Sequence, residues 1–169
     1  MTNKILLIAN WKMFGDLKSV KSIESVINLS KKKKYKKAKI IYCPPYTLLN
    51  NFVTRTKKTN IDVGAQNCHH QINTGPFTGS ISSSMLRRIG VKYIIIGHSE
   101  NRSEGETNQQ INKKILNLIS NKINVIFCIG ENLLEKKNKI TNNILKKQIN
   151  FGLKNIKKID KIIFAYEPV

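Results

Sequence analysis

The chain alternates short apolar runs with longer stretches in which apolar residues recur at helical spacing, and this alternation restricts the fold more than any other feature. Such runs, bounded by Gly, Pro or polar residues, predict strands, and they return about every 30 residues, the length of one strand–helix unit. Because the runs are almost continuously apolar, they predict parallel strands that are covered on both faces. The predicted strands are Ile5–Asn10, Lys39–Cys43, Ile61–Gly64, Tyr93–Gly97, Asn124–Ile129 and Ile162–Tyr166.

Three stripes of apolar residues between these strands predict helices that pack on the sheet. This pattern predicts the α/β class, as either a closed barrel or an open doubly wound sheet. No repeat or Gly/Ser linker divides residues 1–169, so we expect a single domain. The stripes are Leu17, Val20, Ile23, Val26 and Ile27; Ile111, Ile115, Leu118 and Ile119; and Leu145, Ile149, Gly152, Leu153 and Ile156.

The formal charge of +20 over 169 residues raises the question of a nucleic-acid partner. Of the 30 basic residues only four are Arg, and the lysine run from Lys31 to Lys37 carries no interleaved Arg. Because nucleic-acid sites favour Arg and stacked aromatic rings, the run predicts a solvated helix end or loop. We therefore expect no nucleic-acid partner.

Other composition features predict a reducing compartment and no membrane segment. Cys43, Cys68 and Cys128 are odd in number and widely spaced, which fits free thiols better than disulfides or a zinc ribbon. No apolar run approaches the roughly 18 residues that would cross a membrane. We expect a soluble cytoplasmic protein with no membrane partner.

Polar and ionisable residues gather at the carboxyl ends of the predicted strands, where α/β sheets and barrels place their sites. No phosphate-binding loop, nucleophile elbow or dinucleotide fingerprint is present. His69 and His70 are adjacent and lack further nearby ligands, so we expect no metal. The residues at the strand ends are Asn10 and Lys12, Gln66 and Asn67, His98 and Glu100, Glu131, and Glu167.

Three of these side chains suggest proton transfer next to a carbonyl group. Glu167 ends an apolar run, as suits a general base. His98 follows Gly97 at a strand-to-helix turn, where a helix N-terminus favours the neutral imidazole that can donate a hydrogen bond. Lys12 would add a positive charge for an enediolate. Lys12 could equally be an ordinary surface lysine, and His98 a structural histidine.

Six blocks together resemble the triosephosphate isomerase family, in the family's order and at about its spacing. The resemblance spans the whole chain, and six blocks in register are far more specific than any one of them. The blocks are Ala9-Asn10-Trp11-Lys12-Met13, Gly64-Ala65-Gln66-Asn67, Gly75-Pro76-Phe77-Thr78-Gly79, Ile96-Gly97-His98-Ser99-Glu100, Cys128-Ile129-Gly130-Glu131 and Ala165-Tyr166-Glu167-Pro168-Val169.

The resemblance implies a (β/α)8 TIM barrel that interconverts dihydroxyacetone phosphate and D-glyceraldehyde 3-phosphate, without cofactor or metal. It implies that Glu167 is the catalytic base and His98 the catalytic electrophile, and that Asn10 and Lys12 bind substrate, Lys12 also being catalytic. It further implies that Glu100 supports Lys12 and that Cys128 packs near the base.

The resemblance also implies a homodimer, in which Phe77 and Thr78 of the loop after the third strand contact the neighbouring subunit. The alternative for Gly75–Gly79 is a simple turn. Two departures bear on this arrangement. Asn101 stands where the family usually has an arginine that pairs with Glu106, so we expect less local rigidity, and Ser80 replaces a common glutamate, so we expect a weaker dimer.

The blocks account for only about six of the eight βα units, since a barrel of this kind takes about 250 residues. The resemblance places a lid loop and two phosphate-binding units after Val169. Without them the first and sixth strands would be unpaired edges and water would reach the enediolate, so we expect residues 1–169 alone to have little activity. The sequence leaves two readings open: a partial isomerase, or a non-catalytic remnant that acts as a binding protein.

Overall fold

The computed structural model describes residues 5–35 and 37–168 and contains six parallel strands separated by helices. The strands follow one another in the sheet in chain order. The α/β class with a parallel sheet is therefore confirmed, and three of the predicted strands have the predicted bounds. The strands are β1 Ile5–Asn10, β2 Ala38–Cys43, β3 Ile61–Ala65, β4 Tyr93–Ile96, β5 Asn124–Ile129 and β6 Ile162–Tyr166.

Seven α-helices and three short 3₁₀ segments lie in the described residues. The α-helices are α1 Ile23–Ser30, α2 Leu49–Thr56, α3 Ser83–Arg88, α4 Ser99–Ser103, α5 Asn108–Ser120, α6 Leu133–Lys137 and α7 Thr141–Gly152. The 3₁₀ segments are Ser19–Ser22, Lys33–Tyr35 and Tyr46–Leu48.

Two of the predicted helical stripes extend beyond the helices that form. Leu17 lies before α1 and is 68% exposed, because the side chains of Asp16 and Ser19 hydrogen-bond in a turn that starts the helical region only at Ser19. After α7 the chain turns at Asn155, whose φ is +64°, so Ile156 lies outside the helix. The α5 stripe is confirmed, with Ile111, Ile115 and Leu118 buried.

The residues group into two compact units, each described here by itself. The first unit comprises Met1–Gln66 and Leu86–Ile94, and the second comprises Asn67–Met85 and Ile95–Val169.

In the first unit β1 pairs with β2 along its whole length, with Ile5 opposite Ala38 and Asn10 opposite Cys43. Strand β3 pairs with both β2 and the start of β4. Its core contains Ile23, Ile41, Leu49 and Phe52, and the edge of the Trp11 ring packs on Phe52 with 5.1 Å between ring centroids. The lysines of the Lys31–Lys37 run that the structure describes are exposed, as predicted, while Lys36 lies outside the described residues.

In the second unit β5 pairs with β6, with Val125 opposite Ile162 and Ile129 opposite Tyr166. From Val125 onward β5 is buried, whereas Phe164 and Tyr166 in β6 are 41% and 53% exposed. Gly152 at the end of α7 lies against the Phe127 ring, where a Cβ atom would collide with the ring, so glycine is required for this helix to pack on β5.

Candidate active site

Lys12 follows β1 in the first unit with a backbone that is held from both sides. Its N–H donates to Asn10 Oδ1 at 3.0 Å, and its carbonyl accepts from Gln66 Nε2 at 2.8 Å. The same Gln66 nitrogen donates to the carbonyl of Cys43 at 2.8 Å. Lys12 has φ +51°, in the left-handed region, which costs a non-glycine residue about 1–2 kcal/mol. Asn10 and Gln66 therefore stabilise the strained turn that carries the lysine side chain.

We expect Gln66→Leu to lower the free energy of unfolding by about 1–2 kcal/mol, because two carbonyl oxygens lose a shared donor. Urea unfolding followed by circular dichroism measures this. The matched control is Gln109→Leu, an exposed position on α5, which should change stability by less than about 0.5 kcal/mol. Equal stability of the two variants would show that the Gln66 contacts are not needed to hold Lys12.

His98 lies at the N-terminus of α4 in the second unit, as the strand-to-helix turn predicted. Its Nδ1 accepts the backbone N–H of Glu100 at 3.3 Å. Because a backbone N–H can only donate, Nδ1 is the unprotonated nitrogen, and the neutral ring carries its proton on Nε2. Glu100 Oε2 lies 3.4 Å from the same Nδ1, but neither atom carries a proton in this tautomer, so this contact is not a hydrogen bond. The ring is buried and presents an N–H donor at Nε2.

Glu167 lies beside that donor, with its Oε2 3.4 Å from His98 Nε2. The Glu167 side chain is 45% exposed, and its backbone N–H donates to Ile129 O at 2.9 Å. Gly130 makes the close approach possible, because a Cβ there would collide with the carbonyl oxygen of Glu167. Val169, the last residue of this block, lies outside the described residues.

Cys128 is buried in β5 and pairs in register with Ala165. Cys128 and Glu167 both border a small cavity of about 20 Å³. The Cys128 carbonyl accepts a hydrogen bond from the Arg102 guanidinium at 3.3 Å. The support role of Cys128 stays a prediction, as does that of Glu100 toward Lys12.

Arg102 joins three segments around His98. Its Nε donates to Gly97 O at 2.6 Å, one terminal nitrogen donates to Asn108 Oδ1 at 2.9 Å, and the other donates to Cys128 O. Burial lowers the pKa of the guanidinium. This role was missed, because the sequence marks Arg102 only by its place after Asn101.

Glu131 is a buried carboxylate at the end of β5 that sequence analysis placed at a strand end but assigned no role. Its Oε1 accepts from the Tyr166 hydroxyl at 3.0 Å and from Thr141 Oγ1 at 3.2 Å. Burial raises its pKa, but its backbone N–H and these two hydroxyls together outweigh burial, so the net pKa lies below the usual value. Its Oε2 is buried and has no hydrogen-bond partner among the described residues.

We expect Tyr166→Phe to move acid unfolding to a higher pH. Because the folded-state pKa of Glu131 is lowered, the carboxylate contributes stability above its unfolded pKa, and that contribution is lost as the pH falls through the folded value. Removing the Tyr166 hydroxyl raises the folded-state pKa of Glu131, so the stabilising charge of the carboxylate is lost at a higher pH. Circular dichroism between pH 7 and pH 2 measures the shift, with Tyr35→Phe as the control, and coincident curves would contradict it.

Helix α5 presents a polar stripe that holds the segment after β3. Lys114 Nζ donates to Asn67 Oδ1 at 2.9 Å, Asn117 Nδ2 donates to His70 O at 2.5 Å, and Asn121 Nδ2 donates to Ser83 Oγ at 2.9 Å. Lys114 and Asn117 lie on α5 and Asn121 is the residue that caps its C-terminus. The three are three and four residues apart and so lie on one side of the helix. The stripe fixes the loop that contains Phe77 and Thr78.

Lys114 also forms an ion pair with Glu106, and both side chains are less than a tenth exposed. Reduced local rigidity was expected here because Asn101 cannot pair with Glu106, and it stays a prediction. Lys114, a lysine among the buried apolar residues of α5, is a partner of Glu106 that the sequence did not reveal. Glu106 Oε2 remains without a hydrogen-bond partner among the described residues.

Phe77 and Thr78 are exposed, with the Phe77 ring 4.7 Å from the His69 ring. Ser80 N–H donates to Phe77 O at 3.0 Å, and Gly79 has φ +77°, so the segment is a tight turn. The contact of Phe77 and Thr78 with a second subunit stays a prediction.

Residues 5–35 and 37–168 contain neither a metal-binding cluster nor a helix that could cross a membrane. These residues contain no group of three or more His, Cys, Asp or Glu side chains placed to bind a metal ion. Among them no helix has the length and apolar character needed to cross a bilayer.

Comparison with known proteins gives one consistent result. The family model described as triosephosphate isomerase matches residues 5–169. Proteins named triosephosphate isomerase from Clostridium tetani, Clostridium botulinum and Dictyoglomus thermophilum are 38%, 38% and 40% identical to this chain. The alignments cover 97% or 98% of this chain but 65% or 66% of each relative, so the chain spans just under two thirds of their length.

Proposed function

This chain belongs to the triosephosphate isomerase family, and we propose on that basis that it carries the isomerase reaction between dihydroxyacetone phosphate and D-glyceraldehyde 3-phosphate. The observation that supports this most directly is the contact between the His98 Nε2 donor and the Glu167 carboxylate. A base and a neutral hydrogen-bond donor at one place suit proton abstraction next to a carbonyl group.

In the proposed reaction Glu167 removes a proton from the carbon next to the substrate carbonyl. The electron pair moves to the carbonyl oxygen, where His98 Nε2–H donates a hydrogen bond to the developing negative charge. Return of the proton to the neighbouring carbon, and movement of the hydroxyl proton, complete the isomerisation with no net gain or loss of atoms. The proposed reaction uses no cofactor and no metal.

The proposal gives the residues of the first unit a binding role. Lys12 supplies a positive charge to the anionic substrate, and Asn10 contacts the substrate and holds the Lys12 turn through the 3.0 Å hydrogen bond from the Lys12 N–H. The left-handed backbone of Lys12 supports this assignment, because strained residues that are held by their neighbours concentrate at functional sites.

The proposal includes a cytoplasmic homodimer. The three cysteines are free and buried, which suits a reducing compartment. Phe77, 40% exposed at the tip of its loop, is the side chain proposed to contact the second subunit. Size-exclusion chromatography with light scattering tests the dimer, and Phe77→Ser should shift it toward the monomer.

The reaction is tested with a fusion of residues 1–169 to the part of the Clostridium tetani relative that this chain does not cover. A coupled assay with dihydroxyacetone phosphate should detect isomerisation by the fusion. A fusion that folds by circular dichroism but has no activity would contradict the proposal.

The same assay tests residues 1–169 on their own, for which we expect activity at least about 100-fold below that of the fusion. Glu167 is close to half exposed, and water at this position competes for the enediolate and screens its charge. Equal activity of the two polypeptides would show that these residues already exclude water well enough for catalysis.

A further inference from the structure

A cleft of about 490 Å³ lies in the first unit at the starts of β3 and β4. It is lined by the end of α2, by the first residues of β3 and by the loop between α3 and β4. Asn10, Lys12 and Gln66 follow the carboxyl ends of their strands, so the cleft lies at the opposite end of β3 from Gln66. It is therefore separate from the residues of the first unit that are proposed to bind substrate.

The charges that line this cleft are mostly positive. Lys57, Lys58, Arg88 and Lys92 line it, and Asp62 is the one carboxylate among its lining residues. Both oxygens of Asp62 are already paired with lysines: Oδ1 lies 2.7 Å from Lys92 Nζ and Oδ2 lies 2.9 Å from Lys39 Nζ. The single negative charge of Asp62 offsets one positive charge, so the lining residues keep a clear excess of positive charge.

Backbone hydrogen bonds hold the segments that carry the charged residues of the cleft. Lys92 N–H donates to Val63 O at 2.9 Å, Val91 N–H donates to Leu86 O at 3.1 Å and Lys57 N–H donates to Val53 O at 3.1 Å. Gly90 has φ +101°, and a Cβ there would lie 2.8 Å from Val53, so glycine allows the α3–β4 loop to approach α2 closely. The positive groups therefore start from a preformed wall.

We propose that this cleft binds a small molecule carrying an oligophosphate group. A concave site lined by charges of one sign concentrates the opposite charge. Arg88 can contact phosphate oxygens with two parallel hydrogen bonds, and the lysines act as compact point charges. The volume exceeds that of a single phosphate, and Val53 and Ile89 add an apolar wall that a nucleoside could contact.

A small oligophosphate fits better than a single-stranded nucleic acid. Binding of single strands relies on bases stacking on aromatic side chains, and the lining residues include none. The charged residues all border one cleft of about 490 Å³, a size that suits a compact anion.

Isothermal titration calorimetry of the full chain with inorganic tripolyphosphate at 150 mM NaCl tests the proposal. We expect saturable binding of one ligand per chain, with Kd below about 1 mM. The double variant Lys58→Gln/Arg88→Gln should weaken binding at least about tenfold, because two charge-assisted contacts are lost. The matched control, Lys146→Gln/Lys147→Gln, removes the same charge from exposed positions on α7 and should weaken binding less than about twofold.

Equal loss in the control variant, or no saturable binding of tripolyphosphate, would overturn the proposal, since net charge alone would then account for any binding. A second measurement avoids the variants: amide NMR signals of Thr59 and Gly90 should shift on titration while those of Lys146 and Lys147 stay in place. Tighter binding of ATP than of tripolyphosphate would identify nucleotides as the source of the oligophosphate, and equal binding would identify the bare chain of phosphates. Cleft-dependent binding of a single-stranded oligonucleotide without tripolyphosphate binding would contradict the small-molecule assignment.

Discussion

Replacing Glu167 by glutamine is expected to lower kcat of the fusion protein by about three orders of magnitude, while KM changes little. General-base catalysis contributes about 10²- to 10⁴-fold, and the amide cannot accept the proton from carbon. The change keeps the size of the side chain, which lies 3.4 Å from His98 and is close to half exposed, so the fold should be unaffected. The coupled assay with dihydroxyacetone phosphate measures kcat and KM separately.

The matched control for Glu167→Gln is Glu104→Gln, which removes the same charge at an exposed position after α4. Its kcat should stay within about twofold of the parent, since distant exposed substitutions have little effect. If Glu167→Gln kept most of the activity, Glu167 would not be the base. A loss of the same size in both variants would instead point to an effect of net charge.

Replacing Lys114 by methionine is expected to lower the free energy of unfolding by about 3–5 kcal/mol. The change removes one partner of a buried ion pair and leaves the Glu106 carboxylate without that partner, where both side chains are less than a tenth exposed. It also removes the hydrogen bond to Asn67 Oδ1. Guanidinium unfolding of the full chain, followed by circular dichroism, measures the effect.

Two further variants separate charge pairing from other effects of the Lys114 substitution. Lys113→Met changes an adjacent, exposed lysine on the same helix and should alter stability by less than about 0.5 kcal/mol. The double variant Lys114→Met/Glu106→Leu removes both charges and should regain at least half of the loss, because no unpaired charge remains. A double variant as unstable as Lys114→Met alone would show that the packing of the lysine, and not its pairing, matters.

Much of the fold could be predicted because the determining pattern is local. A strand such as Asn124–Ile129 is recognisable from its own apolar residues and polar ends, and its predicted bounds are those observed. The start of α1 could not be predicted in this way. Leu17 fits the helical spacing, but the side-chain bonds between Asp16 and Ser19 form a separate turn, and local hydrogen bonding outweighed the apolar pattern.

The candidate site likewise has features that could be predicted from the sequence and features that could not. The positions of His98 and Glu167 at the ends of β4 and β6 could be predicted, because residues after parallel strands share one edge of a sheet. The proton position on His98 could not, since it depends on the N–H of Glu100 that meets Nδ1. Arg102 was missed for a related reason: one of its acceptors, Cys128 O, is 26 residues away in the chain.

Three features are predictable from the amino acids alone: the alternation of strands and helices, the family to which the six motif blocks point, and the side chains at the strand ends. These follow from neighbouring residues, whose spacing alone decides which face or end of an element they occupy. Three others became visible in the folded chain: Lys114 pairs with Glu106, Gln66 supports the Lys12 turn, and lysines and Arg88 line a cleft. The Gln66 contacts and the cleft bring together segments far apart in the chain, whose approach is decided by packing of the whole unit rather than by local pattern. Lys114 and Glu106 are only eight residues apart, but they meet at a buried position, and burial is likewise decided by packing of the unit.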